Sequence, residues 1–546
     1  LSRRRRIAIV AAAVGVVVAG AAFAATQLSG SASAAVPHYV DEAIAAGVVH
    51  SYQGDFDYYV GGGVAAFDCN GDALADLYLA GGSAPAQLFV NRSPRAGALA
   101  FVAAADPATD LLAVTGAYPV DFDSDGVTDL MVLRHGENVI LRGLGGCRFE
   151  RANEEWSFDG GDEWSAAFSA KWDRGAAWPT IAIGNYLGPE HPDGTQDCVS
   201  NLVYQPRADG PGFAAPATLT PSWCTLSMLF TDWDRSGRRD LRVSNDRHYY
   251  GDVSGGQEQL WQVLPGAPPR EYTAADGWKP LRIWGMGIAD YDVTGDGYPD
   301  YYLTSQADNK LQVLAGDAGR PSYADKALAM HATATRPYVG DTTLPSTAWH
   351  SEFQDVNNDA FVDLFVAKGN VDAQADFAIH DPSDLLIGQP DGTFRESGTD
   401  AGVDSFARAR GAAMVDLNAD GMLDLVVVDR VSNVRVYRNV GTGTAQEPHS
   451  TGNWIGLSLA QPGPDRNAIG AWLEVRVAGR VAQREVTVGG GHASGELVPL
   501  HFGLGQSTQA DVRVTWPDGT IGDWQTVNAN ATYLVQPRAQ PQAIEP

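Results

Sequence analysis

The sequence predicts an all-β chain: a seven-bladed β-propeller with calcium-binding loops, followed by a small C-terminal β-sandwich-like domain. Three observations lead there. An acidic loop running into an apolar strand recurs along the chain, and it recurs at a steady long period. The segments between the loops are short strands broken by Gly, Pro and Asn, with no long helical periodicity.

The clearest copy of the loop is Asp121-Phe122-Asp123-Ser124-Asp125-Gly126-Val127-Thr128-Asp129. It sets side-chain oxygens at loop positions 1, 3, 5 and 9, with glycine at position 6. Calcium takes six to eight oxygen ligands at about 2.3–2.6 Å, and glycine permits the tight turn that gathers them. Leu130-Met131-Val132-Leu133 then reads as a buried strand. The same arrangement occurs at Asp68, Asn70, Asp72 and Asp76, and at Asp232, Asp234, Ser236 and Asp240. It occurs again at Asp292, Thr294, Asp296 and Asp300, at Asp355, Asn357, Asp359 and Asp363, and at Asp416, Asn418, Asp420 and Asp424. About six Ca2+ sites are therefore expected. A further copy near Asp173 has lost its other ligands and reads as a decayed site.

First positions at 68, 121, 173, 232, 292, 355 and 416 are separated by 53, 52, 59, 60, 63 and 61 residues. Four short strands per unit of that length make one propeller blade, and seven units make seven blades. An EF-hand would need a bidentate Glu at position 12 and flanking helices. Position 12 here is Leu79, Val132, Val243, Leu303, Val366 or Val427, and Gly61-Gly62-Gly63 before the first loop is poor helix material. A single loop would read equally well as a metal-free Asx turn; six in register favour the cation.

These segments resemble the FG-GAP/VCBS repeats of integrin-like β-propellers. Met286-Gly287-Ile288-Ala289-Asp290-Tyr291-Asp292, Ala367-Lys368-Gly369-Asn370-Val371 and Arg410-Gly411-Ala412-Ala413 are similar to segments of the cartilage acidic protein family. The chain departs from the pattern at Asp173, at Ser236 and Thr294, and at Ala360, which stands where other loops have Gly.

Residues 1–34 read as a signal peptide or a retained membrane anchor: Arg3-Arg4-Arg5-Arg6, an apolar run from Ile7 to Ala25, then Ala-x-Ala sites. The expected location is extracellular and secreted, or membrane-anchored facing outside, with no other membrane contact. The chain has 38 Lys+Arg and 66 Asp+Glu, net charge −28; without its first 34 residues, which carry four Arg and no acid, this becomes −32. Such a surface argues against nucleic acid as a partner. Four Cys in an exported chain read as two disulfides with three possible connectivities; Cys198–Cys224, which would staple the insertion from Gly188 to Trp223, is the first choice, leaving Cys69–Cys147 as the second pair. No CxxC spacing suggests zinc.

Repeats are expected over 35–440 and a linker over 441–452. A β domain over 453–535 follows, with a disordered Pro/Gln-rich tail at 536–546. Gly489-Gly490-Gly491-His492, Leu500-His501-Phe502-Gly503-Leu504-Gly505 and Trp516-Pro517-Asp518-Gly519 closely resemble the ASPIC/UnbV domain. His492 and His501 read as satisfied structural histidines rather than ligands.

Two functions are open. One is a binding or adhesion module for a glycan, peptide or protein; the other is an extracytoplasmic lyase, hydrolase or natural-product tailoring enzyme working in the propeller channel. No GxSxG, HExxH, P-loop or dinucleotide motif is present. Glu154, Glu155, Asp162 and Glu163 are loose acid/base candidates, so no catalytic residue is assigned. His248-Tyr249-Tyr250 and Trp349-His350 are the most ligand-like clusters of the later blades.

Overall fold

The computed structural model describes residues 34–246, 256–306, 308–316, 318–333, 347–371 and 381–544. The signal-peptide segment and His248-Tyr249-Tyr250 lie outside the described residues. Among the described residues no helix is long and apolar enough to cross a membrane.

The fold is all β, as expected. Among the described residues six sheets run in chain order, each built on an antiparallel meander of four consecutive strands, the first with a fifth strand added. Their first strands are Val64–Phe67, Val114–Val120, Ser165–Lys171, Thr225–Thr231, Gly285–Tyr291 and Ala348–Gln354. A seventh sheet begins with Arg408–Val415 and contributes only three strands from its own repeat. Its outer strand is Tyr39–Asp41 from the other end of the chain, paired antiparallel with Arg435–Asn439. This closure joins the two ends of the repeat region by backbone hydrogen bonds, and no motif in the sequence announces it. Each first strand packs against that of the next sheet, and the seventh returns to the first, so the sheets form a ring. First strands such as Val114–Val120 and Thr225–Thr231 are buried along their whole length. That is why they read as unbroken apolar or small-residue runs rather than alternating ones.

Both disulfides form as expected, each with 4.7 Å between Cα atoms. Cys69–Cys147 ties the first acidic loop to the second sheet, and Cys198–Cys224 closes the insertion after the third sheet's second strand.

The C-terminal domain is two four-stranded sheets packed over one core that includes Ile455, Leu473, Val475, Phe502 and Val512. Two expectations are corrected. The tail is not wholly disordered, because Gln542–Ile544 adds an antiparallel strand to Ala531–Val535. The Gly489-Gly490-Gly491-His492 segment belongs to neither sandwich sheet. Residues 486–498 leave the sandwich and enter the ring, where they meet the first strand of all seven sheets. Gly495–Leu497 pairs parallel with Val64–Phe67. Ser494 bridges Ala117, Val488 bridges Ala170, Gly489 bridges Leu229 and Gly491 bridges Ile288. His492 N–H donates to His350 Nδ1 at 3.1 Å, and Met414 N–H donates to Glu496 Oε1 at 2.9 Å. The central channel is therefore plugged by the C-terminal domain.

Candidate metal centres and the plugged channel

The six acidic loops join the first strand of a sheet to its second, and each ninth-position Asp is the first residue of that second strand. Their backbone is shared. Position 4 has positive φ in all six, at Gly71, Ser124, Arg235, Gly295, Asn358 and Ala419, and so does position 6, at Ala73, Gly126, Gly237, Gly297, Ala360 and Gly421. This turn points the position-6 N–H back at the first-position carboxylate: Ala73 on Asp68 at 2.8 Å, Gly126 on Asp121 at 3.1 Å, Gly297 on Asp292 at 2.9 Å, Ala360 on Asp355 at 2.8 Å, Gly421 on Asp416 at 2.8 Å. Ala360 thus adopts the same turn as the glycine loops.

The ninth-position Asp does more than the sequence suggests. Asp129 accepts the N–H groups of Phe122 at 2.9 Å and Gly143 at 2.8 Å. Asp76 holds Cys69 and Asn91, Asp363 holds Val356 and Gly388, and Asp424 holds Leu417 and Asn439. These four side chains tie the loop to the sheet's third strand, a role invisible without the fold. The oxygens nevertheless keep a second lone pair for a cation.

Several loop oxygens are buried with no hydrogen-bond partner: Asp121 Oδ1, Asp300 Oδ1, Asn418 Oδ1 and Asp420 Oδ2. Oxygen atoms of Asp121, Asp123 and Asp129 lie within 4.8 Å of one another. Burial, and then the neighbouring carboxylates, push these groups up: Asp121 to about 6, Asp129 to about 8, Asp300 to about 7 and Asp416 to about 7. Unpaired hard oxygens and crowded negative charge are what a divalent cation relieves, so the donor set fits calcium.

The loops are not equivalent. In the loop at Asp232, Arg238 Nη2 lies 3.2 Å from Asp240 and 3.7 Å from Asp234, so a guanidinium stands among the candidate ligands. Asp240 also accepts from Trp233 Nε1 and Tyr272 OH. Around Asp123 and Asp125, Arg142 approaches from the rim at 3.2 and 3.8 Å, leaving Asp121 Oδ1 unpaired. At the decayed copy, Lys171 Nζ sits 2.9 Å from Asp173 Oδ1, replacing the cation with a buried ammonium. Cys69 and Cys147 lie beside Asp76, but as a disulfide they offer no thiolate.

All these loops face the C-terminal domain. Ser124 Oγ accepts Asp465 N–H and Asp125 O accepts Arg466 Nη1–H. Arg235 stacks on Trp472, Arg239 pairs with buried Glu485 at 3.3 Å, and Asn358 Oδ1 meets His501 Nε2 at 2.6 Å. His492 and His501 are buried and hydrogen-bonded, in keeping with a structural role. Trp349 packs against His492 in the channel wall. Glu154, Glu155 and Asp162 are exposed and Glu163 half-buried on one loop, with no converging partner set.

A ring of four-stranded sheets with acidic strand-connecting loops defines a β-propeller of the repeat type. The chain matches the family described as FG-GAP-like repeat at residues 68–132 and 355–427, and ASPIC and UnbV at residues 461–542. The chain carries FG-GAP-like repeats and a C-terminal ASPIC/UnbV domain. No curated protein matches it. Among solved structures, BBS1N in complex with ARL6DN matches at 9% identity and TM-score 0.41, over 76% of this chain and 100% of that one. An Agrocybe aegerita lectin described as recognising non-reducing terminal N-acetylglucosamine matches at 14% identity and TM-score 0.27, over 69% and 80%. YCF48 from Cyanidioschyzon merolae matches at 10% identity and TM-score 0.35, over 69% and 96%.

Proposed function

We propose that the chain is an exported, calcium-stabilised binding module whose partner is a glycan, peptide or protein. The observation that carries the calcium reading is the set of buried, unpartnered oxygens in loops of one conformation. Asp68, Asn70, Asp72 and Asp76, and the matching residues of the other loops, would hold the ions. The cation would neutralise the buried carboxylates and fix the loops that carry the C-terminal domain. The Asp121 loop, which keeps a buried unpaired Oδ1 although Arg142 pairs with Asp123 and Asp125, is the strongest candidate, and the Asp232 loop, whose ninth-position Asp240 is taken up by Arg238, Trp233 and Tyr272, the weakest.

The ligand surface is assigned to the face away from the sandwich, because the acidic-loop face is covered and the channel is filled. Half-buried Phe56, Tyr59 and Trp284 lie at that mouth over buried Trp164 and Trp349. Aromatic faces suit sugar rings and peptide side chains alike. Catalysis in an open channel loses its reaction space to residues 486–498. Two disulfides support an oxidising, extracytoplasmic location.

The test is a glycan and polysaccharide panel probed with calcium-loaded protein, reading both retention and product. Retention without turnover is expected. New reducing ends or unsaturated products would replace this reading with an enzymatic one.

A further inference from the structure

Between the sandwich and the loops of the first and seventh sheets lies a cavity of about 390 Å³, within the range of small-molecule sites. Leu457, Leu459, Met414, Leu423, Leu497 and Val498 make its walls apolar. It shares Gln354, Val486 and the chain from Leu497 to Leu500 with a second void of about 150 Å³, deeper along the plug. The deep end changes character. Asp290, His350, Glu352, Arg484 and Glu496 line it.

The polar groups there are unbalanced. Glu352 and Glu496 both accept the single N–H of Met414, at 3.1 and 2.9 Å, so two carboxylates meet at one amide. Asp290 adds a third carboxylate and Arg484 one positive charge, while Glu485 beside them is paired with Arg239. Burial, and then Glu352, hold the Glu496 carboxyl well above the usual carboxylate range, so the two carboxyl groups share a proton; Glu352 and Asp290 against Arg484 still leave one negative charge and the acceptors in excess. His350 is 95% buried, since its exposure is 5%. Its Nδ1 accepts the His492 N–H, so its proton is on Nε2. That N–H has no acceptor, and Glu352 Oε2 at 3.7 Å is beyond hydrogen-bonding reach. A protonated Nε2 cannot ligate a metal. The void therefore has three needs: a positive charge, an oxygen to accept one N–H, and apolar surface behind them.

We propose that this cavity binds a small amphiphilic amino alcohol, its ammonium on Glu352 and Glu496, its hydroxyl accepting from His350 Nε2, and its apolar body between the sandwich and the first and seventh sheets. The site is separate from the aromatic face assigned above and does not depend on calcium as ligand.

The experiment is calorimetric titration of the full chain in saturating calcium with four probes below their micellar concentrations: a vicinal aminododecanol, dodecylamine, dodecanol and dodecanoate. The amino alcohol is expected to bind tightest, then the amine, with dodecanoate not binding. E352Q and E496Q each weaken the amino alcohol about tenfold or more and leave dodecanol unchanged. T532W, which narrows the apolar part without touching the head site, weakens all binders, and its near-UV spectrum reports retained packing. Equal affinity for dodecanoate and dodecylamine overturns the proposal. So does an unchanged affinity in both Gln variants, absence of binding by every probe, or competition by raised calcium concentration, which would make the carboxylates a cation site.

Discussion

Position 6 of the acidic loops is where one residue most clearly reports the fold. Its φ is +70° at Ala360 and +64° at Ala73, a region that costs an L-residue about 1–2 kcal/mol relative to glycine. Ala360→Gly should raise stability in denaturant titration by about 0.5–1 kcal/mol, part of the gain being offset by the freer unfolded chain. Asp121 and Asp173 form the sharpest pair for the cation. Mass spectrometry under native conditions should count one ion fewer in D121N and an unchanged number in D173N, because Lys171 already neutralises Asp173. Loss of an ion in D173N would refute the reading of the third repeat. Two buried histidines add a pH dependence opposite in sign to that of the buried loop carboxyls. Burial holds His492 and His501 at about 3, below an unfolded value of about 6.5. The unfolded chain therefore binds more protons between these values. Stability from these residues is full above about pH 6.5 and is lost as pH falls toward 3. H492Q should lose less stability than the parent between about pH 6.5 and 4 in chemical denaturation; an identical acid limb would show that the ring is not buried neutral.

At the scale of the element, the recurring unit was legible because its ligand spacing and following apolar run are local. The ninth-position Asp is legible as a candidate ligand but not as the tie to the third strand, since Gly143 and Gly388 become its partners only when the meander folds. Arg238 was likewise silent in sequence: a basic residue between Asp234 and Asp240 reads as solvated until its side chain is placed. R238Q should raise the calcium stoichiometry by one ion or tighten one weak site in a chelator competition. Unchanged binding would mean that the guanidinium does not displace a cation. The Cys69–Cys147 pair closes a separation of 78 residues. Replacing both by Ser should cost about 2–5 kcal/mol in equilibrium unfolding.

For the whole molecule, the plug reorganises the domain description. Residues 486–498 touch every sheet of the ring, so the sandwich and the propeller form one cooperative body. Glycines allow the approach: a Cβ on Gly63 would lie 1.8 Å from Ala493 O, and Gly489, Gly490 and Gly491 have φ of +124°, +74° and +53°. The glycines of Met286-Gly287 and Arg410-Gly411 face this crossing too, with Ser494 Oγ 2.4 Å from a Cβ on Gly411. Gly490→Val should therefore release the C-terminal domain and make the 441–452 segment a protease target, while the same change at exposed Gly479, in an open turn, should do neither.

The all-β class, the acidic loops, the presence of two disulfides and the ASPIC/UnbV segment are readable along the chain, because each is written in residues close in sequence or in a residue type with few possible partners, whereas the choice among three disulfide connectivities belongs to the fold. Tertiary structure alone decided the ring closure by Tyr39–Asp41, the filling of the channel by 486–498, and which carboxylates stand free or meet an arginine. Those depend on contacts between residues hundreds of positions apart, whose free energy comes from burial and hydrogen bonding in three dimensions and leaves no periodicity to read.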